Sequence, residues 1–248
     1  MGCAPPVVML PVVHAQLGHW HLVVSLYGVA IALGVGLGLV VAVGRARDCA
    51  AVLVVAPIAV VAGVVASELW HRVCHGSPGL SSMGGIAGGL IAIALVSRLL
   101  RVPALEMQDA LAPGALVGFA VGRVGCFFAG CCYGGPTDLP WGVVFPALGL
   151  PARHPVQLYE AAVDVGLAWW CGRASGPAGV TVGRAMIGYG LGRVLLEVLR
   201  DPGAVDLVTA RGPSVVQTSA LVLVAVGLRL VLRPLSLHRV RDTGGVGR

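Results

Sequence analysis

Residues 50–70 read AAVLVVAPIAVVAGVVASELW, a run in which Glu68 is the only charged side chain. A helix rises 1.5 Å per residue, so about 20 apolar residues cross the hydrocarbon of a bilayer. The run therefore predicts a transmembrane helix. Comparable apolar runs bring the number of predicted spans to seven, at 21–43, 50–70, 83–100, 111–129, 156–172, 180–199 and 215–232.

The composition of the whole chain agrees with a membrane protein. Its 248 residues are 57% hydrophobic and only 11% charged, and the mean hydropathy is +0.89. A water-soluble domain with this balance could not cover itself with polar surface. No fixed-period repeat or polar linker divides the chain. We therefore predict one all-α membrane domain over residues 1–235, a bundle of seven transmembrane helices, followed by a basic cytoplasmic tail at 236–248.

Arginine placement predicts the orientation of this bundle. All 17 basic residues are arginines, and the loops after the odd-numbered runs are rich in them. The loops on the other side contain few arginines, namely Arg72, Arg153, Arg200 and Arg211. Asp201 and Asp206 offset the charge of the last two. The positive-inside rule then puts the N-terminus outside and the C-terminus in the cytoplasm. Orientation and anionic headgroups explain the net charge of +6, so no nucleic-acid partner is predicted. The basic loops contain Arg45, Arg47, Arg98, Arg101, Arg173, Arg233, Arg239, Arg241 and Arg248.

The segments outside the runs give two further expectations. The first twenty residues lack a basic stretch followed by a compact apolar core, so we expect no cleaved signal peptide. The long connections at 130–155 and 200–214 are rich in proline, glycine and aspartate, which favours ordered turns on the outer side.

Among the charged residues inside predicted spans, three are candidates for a functional site. Arg123 lies near the outer end of the fourth run, and Arg193 and Glu197 lie in the sixth. Charges in hydrocarbon are costly and face the bundle interior or a water-filled cavity. Arg193 and Glu197 are spaced to pair on one helical face, whereas Arg123 needs a partner from another helix or a ligand. A guanidinium matches a phosphate bidentately, so the pair of arginines predicts a site for a phospholipid headgroup.

Other polar and small residues are candidates for the same outer cavity. The stretch RHPVQLYEA begins the fifth run and carries His154, Gln157 and Tyr159 beside Glu160. It is either a polar helix start or a source of hydrogen bonds to a ligand. The glycines of SSMGGIAGGL, Gly84 and Gly85 among them, serve either close helix packing or close approach of a headgroup.

Three cysteines interrupt the apolar stretch GRVGCFFAGCCYG at 122–134. The spacing of Cys126, Cys131 and Cys132 matches no common zinc or iron–sulfur pattern, so no metal site and no cofactor are predicted. Cys126 is expected to fill a packing position. A disulfide from Cys131 or Cys132 to Cys74 stays open as an alternative.

The same stretch resembles the signature of the prolipoprotein diacylglyceryl transferases. Gly122, Arg123, Phe127, Gly130 and Gly134 fit that signature. Further motifs resemble the family in chain order and extend the likeness over nearly the whole chain: SLYG, DALAPGALVG, PWGVVFP, RHPVQLYEA and YGLGRVLLEVLRDP.

This resemblance implies an activity in a bacterial plasma (inner) membrane. Such enzymes transfer the diacylglyceryl group of phosphatidylglycerol to the lipobox cysteine of a preprolipoprotein, which is a step of lipoprotein biosynthesis, and release glycerol-1-phosphate. Membrane lipids are then partners too. By the resemblance, catalysis rests on Arg123, Arg193, Glu197 and Tyr27. Substrate binding is expected at Gly84, Gly85, Gly122, Gly134, His154, Gln157 and Tyr159.

The chain also departs from the family pattern. Met83 in LSSMGG replaces the histidine of the family motif, Cys126 replaces an asparagine, and Cys131 replaces an acid. Two hypotheses follow. The chain is a divergent transferase, or it is a non-catalytic or repurposed phospholipid-binding protein whose altered site is Met83, Cys126, Cys131 and Cys132. In the second hypothesis the three thiols serve redox or metal chemistry.

Overall fold

A computed structural model describes residues 12–17, 20–76, 79–200 and 215–243. This part of the chain contains seven helices, as the sequence predicted, preceded by one antiparallel pair of strands. In the strand pair Val12 lies opposite Ser25 and Leu17 opposite Trp20. The elements are β1 (Val12–Leu17), β2 (Trp20–Ser25), α1 (Leu26–Val43), α2 (Cys49–His75), α3 (Ser82–Leu99), α4 (Ala104–Phe128), α5 (Val156–Gly172), α6 (Val180–Glu197) and α7 (Val215–Thr243).

The helix bounds differ from the apolar runs at several places, the end of α2 at His75 among them. Residues 20–25 pair as β2, so α1 begins only at Leu26, where the Ser25 hydroxyl caps it by accepting from the Gly28 N–H. The bundle itself is helical as predicted, and β1 and β2 add a strand pair before it. Helix α4 begins at Ala104 and α7 continues to Thr243, because polar turns extend a helix beyond its apolar part. Residues 236–243 of the predicted tail are thus helical.

Five helices are long and apolar enough to cross a membrane, namely α1, α2, α3, α4 and α7 up to Arg233. The chain is therefore a multi-pass membrane protein. The exceptions are α5, which has 17 residues, and α6, whose 18 residues carry Arg184, Arg193 and Glu197. These two helices are the ones that carry most of the charged side chains described below.

Some expectations fall where the structure gives no description. Residues 201–214, with Asp201, Asp206 and Arg211, lie outside the described residues, and so do residues 1–11 and 244–248. The side chains of 234–243 are likewise outside the description.

Glycines bring α1 and α4 into backbone contact. A Cβ on Gly38 would lie 2.6 Å from the carbonyl oxygen of Gly114, and one on Gly34 would lie 2.8 Å from that of Gly118. Any larger residue would force the helices apart. Small-residue packing of this kind holds helices together where lipid supplies no hydrophobic drive for association.

One end of the bundle is closed by polar contacts between helix ends. The Arg45 guanidinium donates to the Gly172 carbonyl at 2.6 Å, which joins the ends of α1 and α5. The Asp109 carboxylate of α4 accepts from the backbone N–H groups of Gly179 and Val182, each at 2.7 Å. These N–H groups at the start of α6 lack partners within their own helix, so the carboxylate satisfies them.

The opposite end carries the connection from α4 to α5, residues 129–155. It is ordered in turns and short bridges, and Gly134 pairs with Arg200 at the end of α6. The Gly134 N–H donates to the His154 carbonyl at 2.9 Å, and the Gly135 N–H donates to the Leu199 carbonyl at 2.9 Å. The prediction of ordered turns at 130–155 is confirmed. This connection ties α4, α5 and α6 together around the buried charges.

Candidate functional site

The charged residues of α4, α5 and α6 meet at one point. Arg123 of α4 reaches Glu160 of α5, with 2.8 Å between Nε and Oε2. Arg193 of α6 forms an ion pair with the same carboxylate and a second one, at 3.1 Å, with Glu197 one turn later. The predicted pairing of Arg193 and Glu197 is confirmed. The partner of Arg123 comes from another helix, as its own helix offers none.

A third arginine completes this charged cluster, defined as Arg123, Arg193, Arg200, Glu160 and Glu197. The Arg200 side chain lies 2.7 Å from Oε1 of Glu160 and 3.4 Å from Oε2 of Glu197. Burial lowers the pKa of Arg200, but the Glu160 carboxylate raises that pKa above its ordinary value, so the guanidinium stays charged. Three cations therefore surround two carboxylates.

The charged cluster is almost completely removed from solvent. The Glu160 side chain is 3% exposed and that of Arg193 is 7% exposed. Removing one partner of such a buried pair costs about 3–5 kcal/mol, because the other charge is left uncompensated. The cluster is thus both a requirement for folding and a concentration of positive charge.

Two cavities border one another at this point. The first, about 10 Å³, is lined by charged cluster residues together with Asp164 and Tyr189, and it has room for about one water molecule. The second, about 420 Å³, is apolar and lies between α1, α2, α3, α4 and α6. Tyr189 lines both cavities. A polar chamber and an apolar chamber therefore share a wall.

The predicted glycines divide between the apolar cavity and helix packing. Gly85 lines the cavity. Gly84 faces α2, where a Cβ would lie 2.5 Å from the Cβ of Trp70. Gly122 faces Ile31, and a Cβ on Gly134 would lie 2.6 Å from the Leu199 carbonyl oxygen. Close packing therefore accounts for Gly84 and Gly134, whereas a Cβ on Gly122 would make only an ordinary contact, at 3.4 Å, with the end of the Ile31 side chain.

The polar residues at the start of α5 hold the connection in place. The Trp141 indole donates to the Tyr159 hydroxyl at 2.8 Å, and the His154 Nδ1 lies 3.4 Å from the same hydroxyl. The fully buried Gln157 donates to the Cys131 carbonyl at 2.5 Å. None of His154, Gln157 and Tyr159 lines either of the two described cavities. Their contacts hold the 129–155 connection against the start of α5.

The remaining predicted residues lie on the α1 and α3 sides. Tyr27, at the start of α1, is within electrostatic reach of Arg123 and of the thiols of Cys126, Cys131 and Cys132. Met83 is 6% exposed and belongs to the same buried cluster as Leu116 and Tyr189. The cysteines at 74, 126, 131 and 132 are free thiols, so the disulfide alternative is not realised in this structure.

Comparison of the sequence with known proteins shows which family the chain belongs to. The sequence pattern of the family described as "Prolipoprotein diacylglyceryl transferase" matches residues 13–233. The chain belongs to this family. Family membership and the apolar helices together make it a multi-pass member of a membrane-enzyme family.

Individual relatives match over part of their length. Each is named phosphatidylglycerol–prolipoprotein diacylglyceryl transferase. The protein of Nitrosomonas europaea is 36% identical over 159 residues, covering 62% of this chain and 57% of the relative. That of Geobacter sulfurreducens is 40% identical over 130 residues, covering 51% and 50%. That of Cupriavidus pinatubonensis is 38% identical over 161 residues, covering 62% and 58%. The chain thus spans little more than half the length of these relatives.

Sequence reasoning missed four residues of the site, namely Glu160, Asp164, Tyr189 and Arg200. From the sequence, Glu160 is only part of a polar helix start, Arg200 is only a loop charge, and Tyr189 is only a residue of a family motif. Glu160 carried a usable signal, since a carboxylate one turn into an apolar helix needs a cation. The position of Arg200 depends on the 129–155 connection, which no local pattern reveals.

Proposed function

We propose that the chain transfers the diacylglyceryl group of phosphatidylglycerol to the lipobox cysteine thiol of a prolipoprotein and releases glycerol-1-phosphate. Family membership and the names of the relatives support this function. The observation that carries it is the shared wall at Tyr189 between a chamber lined by arginines and an apolar cavity. A phospholipid has the same division into an anionic headgroup and apolar chains.

The apolar cavity suits the acyl chains, whereas the cavity beside the arginines, about 10 Å³, has room for only about one water molecule, so the phosphate has to displace the Glu160 carboxylate. The volume of about 420 Å³ lies within the range of about 300–1,000 Å³ that ligand cavities occupy. Its walls carry mainly glycine, alanine, valine and leucine side chains, which accept acyl chains. The phosphate is held at Arg123 and Arg193, where it competes with Glu160 for the guanidinium groups.

The arginines also suit the chemistry of the transfer. The bond from the glyceryl carbon to the phosphate oxygen breaks while a bond from that carbon to the acceptor sulfur forms. Negative charge grows on the departing phosphate, and fixed cations beside it stabilise the transition state. The acceptor reacts as a thiolate. By resemblance to the family, Tyr27 and Glu197 act beside the arginines.

The proposed placement has all seven helices crossing a bacterial inner membrane, with the N-terminus outside and the C-terminus in the cytoplasm. The contacts at the closed end of the bundle support it. The loop after α1 meets the end of α5 through Arg45 and Gly172, and it meets the start of α4 through Arg47 and Glu106. These segments belong to the side that arginine placement assigns to the cytoplasm. The charged cluster, which includes Arg200, lies toward the other end of the bundle.

A second candidate function has its own support. Met83 is buried among apolar side chains and has no group that exchanges a proton at neutral pH. Arg123 and Arg193 are already paired with Glu160. A phospholipid-binding protein without transferase activity is compatible with both observations.

The decisive experiment separates transfer from binding. Purified protein is incubated with phosphatidylglycerol labelled in its acyl chains and with a lipobox peptide, and the thioether product is measured by mass spectrometry. We expect a labelled peptide, and none from a peptide whose lipobox cysteine is replaced by serine. Saturable lipid binding without product, from protein that is folded and monodisperse, would establish the second function instead.

The substitution Gly85→Leu tests whether the apolar cavity holds the lipid. A leucine there projects into the cavity that Gly85 lines, so we expect at least about tenfold weaker use of phosphatidylglycerol in a lipid titration of the transfer assay. Gly36→Leu is the matched control, because Gly36 is exposed on α1 with no atom near its Cβ position. Equal activity of the two variants would contradict lipid binding in this cavity.

A further inference from the structure

The turn that ends α4 folds the chain back onto its own last helical residues. Gly130 adopts a left-handed conformation with φ of 66°. Its N–H donates to the Phe127 carbonyl at 3.1 Å, and the Cys131 N–H donates to the Cys126 carbonyl at 3.2 Å. This pair of hydrogen bonds is the Schellman motif of helix C-termini. It brings Cys131 over Cys126, although five positions separate them in the sequence.

A second conformational feature brings in the third thiol. Cys132 has φ of 61°, in the left-handed region that residues with a side chain seldom occupy. Such positions persist only where neighbouring contacts impose them, and they concentrate at functional sites. Here Gln157 of α5 holds the Cys131 carbonyl at 2.5 Å. The backbone of Cys131 is thus held on both sides, through its N–H by Cys126 and through its carbonyl by Gln157.

The three thiols that result form a compact group. The Sγ atoms of Cys126, Cys131 and Cys132 all lie within 4.8 Å of one another, and all three are free thiols. Zinc binds thiolate sulfur at about 2.3 Å, which puts sulfur atoms of a tetrahedral site about 3.8 Å apart. Shifts of about 1 Å or less would close the group around such an ion. The spacing of the cysteines in the sequence does not predict this arrangement, because the turn at the end of α4 brings the thiols together.

The surroundings favour a bound cation held by thiolates. Three thiolates around Zn²⁺ carry one net negative charge. Arg123 and Arg200 are both within electrostatic reach of Cys132, and they offset that charge. Cys126 is buried, whereas Cys131 and Cys132 are exposed, so an ion can enter from one side. Soft sulfur ligands select thiophilic ions over Mg²⁺ and Ca²⁺.

We propose that Cys126, Cys131 and Cys132 form a three-thiolate site for a thiophilic metal ion of the Zn²⁺ class. Within the described part of the chain, the group contains these three protein ligands and no fourth. Three protein ligands with one free position are typical of zinc sites that bind water or another small ligand. The site joins the end of α4 to the 129–155 connection next to Arg123.

Metal binding by the purified full-length protein tests this site directly. The protein is reduced, treated with a chelator and exchanged into buffer with limiting Zn²⁺, and bound metal is measured by mass spectrometry of the desalted sample. We expect about one zinc ion per chain. Loading with Co²⁺ instead is expected to give the intense absorption of thiolate-to-cobalt charge transfer.

Single substitutions assign the ligands. Cys126→Ser, Cys131→Ser and Cys132→Ser are each expected to weaken zinc binding by at least about tenfold, since even partners outside the ligand set alter affinity by about 10–100-fold. Cys49→Ser is the control, because Cys49 is an exposed free thiol at the start of α2. Unfolding temperatures measured without zinc separate lost ligands from lost folding.

Two results would overturn the proposal. One is reduced, monodisperse wild-type protein that binds no zinc above the level of the triple serine variant. The other is an equal loss of zinc binding in Cys49→Ser and in the three cluster variants. Neither result depends on transferase activity, so the metal site and the proposed function can fail independently.

Discussion

Replacing Arg193 with alanine is expected to lower diacylglyceryl transfer by about 10²–10³-fold, the usual cost of removing one preorganised group that stabilises transition-state charge. Arg123→Ala is expected to do the same, because both guanidinium groups converge on one point from α4 and α6. The measurement is the initial rate of thioether formation on the lipobox peptide. Unchanged labelling in either variant would remove that arginine from the proposed mechanism.

A control is needed because both arginines also compensate buried carboxylates. Arg184→Ala removes an arginine from the same helix, nine positions before Arg193 and about 14 Å along the axis. Arg184 lies 5.5 Å from the ring centroid of Trp170 and outside the charged cluster. We expect this variant to retain near wild-type rates. A comparable loss in it would show that the assay reports folding rather than chemistry.

A conservative variant separates charge from geometry. Arg193→Lys keeps the positive charge beside Glu160 and Glu197 but loses the planar fork that binds a phosphate bidentately. We expect a folded protein with an unfolding temperature close to that of the wild type and a rate lowered by at least about tenfold. Full activity of the lysine variant would mean that only the charge matters.

The helices could be predicted because the hydropathy of a segment depends only on residues that are neighbours in the sequence. Each apolar run can be recognised from its own residues, and all seven runs overlap a helix of the structure. The start of α1 could not be predicted in this way, since residues 20–25 are as apolar in β2 as they would be in a helix. Strand pairing with Val12–Leu17 decides between the two, and a hydropathy window contains no information on pairing.

The site could be predicted only in part for a related reason. An arginine inside a span requires a partner, and that argument indicated another helix or a ligand for Arg123, of which the structure shows the first. It could not choose Glu160, because the choice depends on how α4 and α5 pack. The three cysteines illustrate the same limit: their spacing fits no known ligand pattern, and the left-handed residues Gly130 and Cys132 bring them together.

Glu160→Gln is the change expected to affect folding most. The carboxylate meets Arg123, Arg193 and Arg200, so its loss leaves Glu197 as the remaining partner within the charged cluster. The expected cost is about 3–5 kcal/mol of unfolding free energy, measured as a lower midpoint in thermal or chemical unfolding of the detergent-solubilised protein. Glu68→Gln is the control, because Glu68 pairs with Arg72 at the surface with its side chain 45% exposed, and such pairs contribute about 0–1 kcal/mol.

The same variant tests whether Glu160 and a lipid phosphate compete for the arginines. A ligand that binds only the folded state raises stability with the logarithm of its concentration relative to its Kd, so at one concentration the tighter ligand stabilises more. With Glu160 uncharged, the guanidinium groups are free to accept an anion, so phosphatidylglycerol should raise the unfolding temperature of Glu160→Gln by more than that of the wild type. A neutral diacylglycerol of the same chain length should stabilise both proteins equally, because it fills only the apolar cavity. An equal shift from phosphatidylglycerol in the two proteins would show that its phosphate binds elsewhere, and the charged cluster would then serve folding alone.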